Sequence, residues 1–413
     1  MSESLTIDRL GMQGDGVAET TRGPVFVPYA LAGEEVLADI DRGRGRLVSV
    51  AKPSPLRIAP ACRHFGVCGG CAIQHLEPEA YRAWKRDIVV QALHDRGIET
   101  EVAALVPCEP HTRRRAAFTA RRTEAGMLLG FNRASSAEIV PIEECPVLMP
   151  SIVSALEPLK GLATLVCATP LPFHVAVTAT ASGLDIAITG SGKLTDEARR
   201  AAARFVIEQG FARLAVEGET VIEPRKPLVS FDGIAVLPSP GSFLQATEKA
   251  EQAMATAVGG HLARARRIAD LFSGCGTFAL RLARKAELHA VEGDAAPLAA
   301  LDRAFRETPG LKRVTVERRD LFRRPLTVKE LARFDGLVFD PPRAGAEDQA
   351  KQIARSEIPF VAAVSCNPGT LARDLRILID GGYRLKSVAP IDQFLWSPHV
   401  EAVALLEKPK RRR

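Results

Sequence analysis

Arg267-Ile268-Ala269-Asp270-Leu271-Phe272-Ser273-Gly274-Cys275-Gly276-Thr277 decides the fold. A short, mostly apolar run ends in a Ser-Gly-Cys-Gly turn, and Phe278 to Lys285 then reads as a helix. Strand, glycine turn and helix in that order open an α/β unit. The spacing is an acid, two apolar residues, any residue, then Gly-x-Gly. The next strand, Leu288-His289-Ala290-Val291, ends at Glu292. Glycines let the backbone approach a ligand, and a strand-end carboxylate can accept both hydroxyls of a ribose, so the pair predicts a nucleoside site.

Working outward, the alternation continues. Val314-Thr315-Val316-Glu317 leads to Asp320, Gly336-Leu337-Val338-Phe339 leads to Asp340-Pro341-Pro342-Arg343, and Phe360 to Val364 runs into Ser365-Cys366-Asn367-Pro368-Gly369-Thr370. Arg384 to Pro390 and Val400 to Glu407 close the chain as a hairpin with the last strand antiparallel, which completes a doubly wound sheet. The glycine loop lacks the third glycine of a dinucleotide fingerprint, and dehydrogenases do not finish on two strands. S-adenosylmethionine therefore fits better than NAD. Cys366 falls where a buried strand turns, at the carboxyl edge where α/β proteins keep their ligands. A lone cysteine is more often a small buried apolar residue, but a thiolate at that edge can act as a nucleophile. Asp340 before two prolines is either a rigid turn or the element that presents a target base.

At 413 residues the chain has room for two or three cores. Hydrophobic content of 46% and charged content of 25% are those of a globular protein, and aromatics at 5% leave little for broad stacking platforms. With 55 Lys+Arg against 49 Asp+Glu, a polyanionic partner is permitted but not required. No apolar run is long enough to span a bilayer and the start, Met-Ser-Glu-Ser-Leu, is polar, so a cytoplasmic protein is expected, with its eight cysteines reduced.

Residues 1–52 read as a small OB-like β-barrel of five or so strands, with Arg42, Arg44 and Arg46 on one loop as either a nucleic-acid edge or a solvated hairpin tip. Pro53, Pro55 and Pro60 form a stiff linker. Cys62, Cys68 and Cys71 follow at C-x5-C-x2-C around Gly69-Gly70, with Cys108 or Cys145 as the fourth ligand; Cys145 precedes a proline. Three crowded thiols and a distant fourth favour a structural [4Fe–4S] cluster over zinc, whose structural sites pair two close couples. Residues 56–240 form a mixed α/β domain. Within it Glu79 to Arg96 is helical with Trp84 on the apolar face, Phe173–Val177 and Leu184–Ile188 are strands, and His174 has no chemical role. The run His111-Thr112-Arg113-Arg114-Arg115 with Arg121-Arg122 either meets phosphates or is a solvated strand face. A third domain, 241–413, begins with a helix over 246–258.

Asp340-Pro341-Pro342-Arg343, Ser365-Cys366-Asn367-Pro368 and His399-Val400-Glu401 resemble the signature set of the RNA uracil-C5 methyltransferases. Residues 1–52 resemble the TRAM domain. With that head and the four cysteines, the whole chain is most similar to the bacterial 23S rRNA (uracil-5-)-methyltransferases. The resemblance implies Cys366 as nucleophile and Glu401 as base. It implies Gln245, Phe272, Thr277, Glu292, Asp320 and Asp340 around S-adenosylmethionine, and Cys62, Cys68, Cys71 and Cys145 around the cluster. RNA is the implied partner, most often rRNA, with no membrane and no obligate protein partner. Thr277 stands where many relatives have Asn, and Ala300 to Gly310 lacks their Asn-Ala pattern. Three rivals are a tRNA-directed relative, methylation of cytosine C5 or of a base amine, and a non-catalytic RNA-binding or ribosome-assembly factor. Arg343 after Asp-Pro-Pro, where amine chemistry favours an aromatic, argues against the amine, and the paired Cys366 and Glu401 argue against the non-catalytic factor.

Overall fold

The computed structural model describes residues 2–409. Its C-terminal sheet has seven strands: Arg267–Leu271, Glu287–Glu292, Val314–Arg318, Gly336–Phe339, Phe360–Ser365, Arg384–Ile391 and Glu401–Glu407. Numbered in chain order they lie 3-2-1-4-5-7-6, the first five parallel and the seventh antiparallel to both neighbours. The order reverses beside the first strand, which opens a crevice at the carboxyl ends. The core strands are apolar on both faces because helices cover both.

Two expected helices differ in extent. Phe278 to Lys285 gives only one helical turn, Ala279–Leu282, because the chain must re-enter the sheet at Glu287, which pairs with Arg267. The helix expected over 246–258 runs Glu248–His261 instead. Its start is displaced because the backbone of Leu244, Gln245 and Ala246 is already engaged. Arg114 N donates to Ala246 O at 3.0 Å, Arg114 Nε to Gln245 O at 3.0 Å and Arg115 Nη1 to Leu244 O at 2.6 Å. Thr247 then caps the helix, its hydroxyl accepting from Ala250 N at 3.2 Å.

Residues 2–52 form a six-stranded sheet, one strand more than the sequence suggested, around Leu5, Ile7, Val25, Val27 and Val36. Of the three arginines expected on one loop only Arg42 lies in the turn; Arg44 and Arg46 stand on the strand Arg44–Lys52, where Arg44 meets Asp15 at 3.3 Å and Arg46 pairs with Asp39. A second seven-stranded sheet spans Arg115–Thr123 to Glu219–Ile222 and includes Phe173–Thr180 and Gly183–Thr189. His174 is exposed on its strand.

Helix Pro78–His94 begins with Glu77 capping Glu79 N and Ala80 N and with Pro78 in its first turn. Its buried stripe, Tyr81, Trp84, Lys85, Ile88 and Ala92, packs on the C-terminal sheet, in one core with Leu375, Leu378 and Val388. Trp84 is core, as read, and its Nε1–H reaches Gly11 O at 3.1 Å, tying the N-terminal sheet to the same helix. Among the described residues no helix is long and apolar enough to cross a membrane.

Candidate active site

Residues named from the sequence converge at the carboxyl edge of the C-terminal sheet. Phe272 and Thr277 follow the first strand, Glu292 ends the second, Asp320 follows the third, Asp340 the fourth and Cys366 the fifth, while Glu401 opens the seventh. Phe272 turns the chain with φ +61°, a left-handed conformation costly for an aromatic. A side chain on Gly276 would meet Leu280 Cγ at 2.9 Å, so only glycine lets this loop pack. The Glu292 carboxylate braces the loop, accepting from Gly274 N at 3.0 Å and Asp294 N at 2.9 Å. Asp320 accepts from Phe322 N at 3.0 Å, and the Phe322 ring stands 5.5 Å from that of Phe272. Asp270, inside the first strand, is fully buried, and burial pushes its carboxyl far above the ordinary range.

Cys366 lies between the fifth strand and helix Pro368–Asp380, whose N-cap Asn367 accepts from Gly369 N at 3.1 Å. In the ladder between the fifth and seventh strands the last pair is Ser365–Ala402. One step further along this antiparallel register brings Cys366 opposite Glu401. The thiol opens on a cavity of about 420 Å³ that also receives Arg343, Thr370 and His399, with Met12 and Gln13 from the N-terminal sheet on its rim. Arg343 Nη2 and His399 Nδ1 are 3.3 Å apart.

Electrostatics at this edge are dominated by burial. Burial, then the charges of Glu401 and Asp340, pushes the Cys366 thiol up to about 11, and Arg343 pulls it down. Burial raises Asp340 to about 7 against the hydrogen bond it accepts from Gln245 Nε2 at 3.1 Å. Glu401 is 2% exposed, and burial followed by the charge of Asp340 raises it to about 8. The two buried carboxyls therefore titrate as an interacting pair, each raised by burial.

Sequence reasoning missed Gln393. It donates to Gln245 Oε1 at 2.7 Å and to Glu401 Oε2 at 2.6 Å, joining the Asp340 side of the site to Glu401. Its only signal was a polar pair, Asp392-Gln393, directly after an apolar strand end. The basic segment also differs from both readings of it. Arg114 is buried in an ion pair with Glu251, and Arg115 lies over the Phe243 ring at 4.6 Å. Only Arg121 and Arg122 are exposed on their strand.

The cysteines form a second centre. Cys62, Cys68, Cys71 and Cys145, not Cys108, line one cavity of about 860 Å³. All four are free thiols; burial raises each, Cys71 to about 12. Gly69 is required by the wall: a side chain there would sit 2.7 Å from Ala134 N and 2.8 Å from Asn132 O. Among the described residues no group of three or more His, Cys, Asp or Glu side chains is placed to hold a metal ion. Four thiols around a roomy, glycine-walled cavity match the donor set of a multi-iron cluster. The same cavity is lined by Phe394, Ser397 and His399, the segment that leads to Glu401.

The family model for tRNA (uracil-5-)-methyltransferase matches residues 311–409, which hold Asp340, Cys366 and Glu401. An uncharacterized RNA methyltransferase of Mesorhizobium japonicum is 66% identical over the full length of both chains. A 23S rRNA (uracil(1939)-C(5))-methyltransferase of Halomonas elongata is 34% identical, across 98% of this chain and 89% of that one. The crystal structure of Pyrococcus abyssi tRNA (uracil-54, C5)-methyltransferase with S-adenosyl-L-homocysteine superposes with a TM-score of 0.77 at 24% identity, covering 98% and 99% of the two chains, and so shares the fold.

Proposed function

The chain belongs to the RNA (uracil-5-)-methyltransferases and methylates uracil C5 in RNA from S-adenosylmethionine; we propose that the RNA is ribosomal, with Cys366 as nucleophile and Glu401 as base. The observation that carries the residue assignment is the register that brings Cys366 opposite Glu401 at the ligand edge of the sheet. A sulfur and a carboxyl paired across two neighbouring strands suit addition to C6 and proton removal from C5.

Uracil C5 is too weak a nucleophile to take a methyl group unaided. The Cys366 thiolate adds to C6, the C5=C6 pair moves into an enolate, and C5 takes the donor's methyl group as the methyl–sulfur bond breaks and leaves its pair on the donor sulfur. Glu401 then removes the C5 proton, the C5–H pair reforms C5=C6, and the C6–S pair returns to sulfur. Arg343, which lines the cavity with Cys366, carries the charge that favours the thiolate. Gln245, Phe272, Thr277, Glu292, Asp320 and Asp340 are assigned to the methyl donor, with Glu292 for its ribose.

The domain reading is 1–52, 56–240 and 241–413, the first an OB-like TRAM-type RNA binder. Met12 and Gln13 on the rim of the Cys366 cavity support that role. Cys62, Cys68, Cys71 and Cys145 would hold a [4Fe–4S] cluster, which when bound supplies iron–thiolate cross-links between distant segments. Ribosomal rather than transfer RNA is favoured by the Halomonas relative, which this chain matches over 98% of its length. Mapping 5-methyluridine in rRNA and tRNA from cells with and without the gene tests this. A site lost from rRNA is expected, and loss confined to tRNA would overturn the assignment. For the residues, Cys366→Ala is expected to abolish adduct formation and turnover, whereas Glu401→Gln accumulates a methylated covalent adduct.

A further inference from the structure

Gln393 lies between strands Arg384–Ile391 and Glu401–Glu407 and is 1% exposed. Its orientation follows from one contact. Gln393 Oε1 accepts from the backbone N–H of Ala246 at 2.7 Å, and since that amide can only donate, the side-chain NH2 must face the other way. The two N–H groups then divide, one to Gln245 Oε1 at 2.7 Å and one to Glu401 Oε2 at 2.6 Å. With its carbonyl taken, Gln245 turns its own NH2 to Asp340 Oδ2 at 3.1 Å. A single backbone donor thus sets the polarity of a chain that ends on two carboxyls. Among the described residues no side chain or backbone group donates to Glu401 Oε1.

Resting on the reading of Glu401 as base, we propose that Gln393 is the positioning residue of the proton-removal step, holding Glu401 by Oε2 so that Oε1 is the oxygen that takes the C5 proton. In that step the proton passes from C5 to Oε1, the C5–H pair becomes C5=C6, and the C6–S pair leaves with Cys366. Gln393 itself exchanges no proton. Its N–H also supports the negative charge on Glu401 between turnovers. The other groups facing this carboxyl are Asp340 and Cys366, with Arg343 and His399 further out, and none of them donates a hydrogen bond to it.

The test uses the full chain and an RNA that the wild type methylates, labelled with tritium at uridine C5. Gln393→Leu removes every contact. Gln393→Glu keeps the size and an oxygen for Ala246 but loses both N–H donors and adds a charge beside Glu401. Both are expected still to add Cys366 to RNA and transfer the methyl group, with methyl transfer slowed less than release, since Gln245 loses only the donor that orients it toward Asp340. Tritium release should slow by about tenfold or more, the fold-change of a lost hydrogen bond to a charged group. Covalent adduct should accumulate on denaturing gels, and the acidic limb of release should move to higher pH. Should Gln393→Leu not fold, Gln393→Glu decides alone. Release at the wild-type rate by a folded variant overturns the proposal. So does a defect confined to methyl-donor KM or adduct formation, which would mark Gln393 as scaffold only. A Glu401→Gln variant that releases tritium at the wild-type rate would sink the reading of the base itself, and the positioning role with it.

Discussion

Lys85 and Asp392, 307 residues apart in sequence, form an ion pair at 3.0 Å with both side chains almost wholly buried. Tyr81 Oη reaches the other oxygen of Asp392 at 2.6 Å, and Lys85 Nζ also donates to the carbonyls of Phe394 and His399. The segment 392–399, which carries Gln393 and leads to Glu401, is therefore held by helix Pro78–His94. Lys85→Met leaves the Asp392 charge buried without its cation. A loss of about 3–5 kcal/mol in unfolding free energy is expected, checked by urea denaturation. Slower tritium release should accompany it, because Gln393 loses its anchored neighbour.

Activity should rise with pH through the neutral range. Burial raises Glu401 to about 8 and Asp340 to about 7, so the base is mostly protonated below those values, and rate against pH should show an acidic limb. Stability should move the other way. A carboxyl whose folded pKa lies above its unfolded value binds more protons in the folded state, so its contribution falls as pH rises from the unfolded value of roughly 4.3 toward about 8. Glu401→Gln removes that cost. The variant should match the wild type near the acid end of the window and exceed it above the alkaline end, read as the difference in urea midpoint. Equal pH dependence for the two proteins would contradict the buried-acid account.

The two halves of the basic segment should separate by measurement. Arg114 is enclosed with Glu251, which Arg281 also meets at 2.8 Å. Arg114→Ala is expected to lower stability by about 2–4 kcal/mol, since it strips a partner from a buried charge. Arg121→Ala with Arg122→Ala should leave stability within about 0.5 kcal/mol. That pair should instead weaken RNA binding and reduce its salt slope by about 2. An unchanged slope would remove these arginines from the RNA face.

Protein purified without oxygen should be brown and contain about four irons per chain. Cys145→Ser should lose colour and iron, and its melting temperature should fall toward that of the chelator-treated wild type. A colourless protein carrying one zinc would replace the cluster assignment.

The sheet and its ligand edge were legible because they rest on local grammar: an apolar run, then a turn, then an acid or a cysteine at the strand end. Asp340, Cys366 and Glu292 each announce themselves in that way. Gln393 does not, because its meaning comes from Ala246, which lies 147 residues away. Arg114 was misjudged for a related reason. In sequence it is one of three adjacent arginines, and only the fold reveals the Glu251 that takes it inside. Helix Pro78–His94 shows its apolar stripe plainly, but no periodicity could tell that the stripe belongs against the C-terminal sheet.

Glu401–Glu407 is laid between Phe360–Ser365 and Arg384–Ile391, not at the margin of the sheet. During synthesis, the ribosome must therefore deliver the final strand before the slot between two earlier ones can close. Until then both flanking strands expose unpaired amides, and Cys366 has Asp340 but not Glu401 beside it. A nascent chain with Cys366 already emerged would still lack Glu401, and the two meet only when that strand docks.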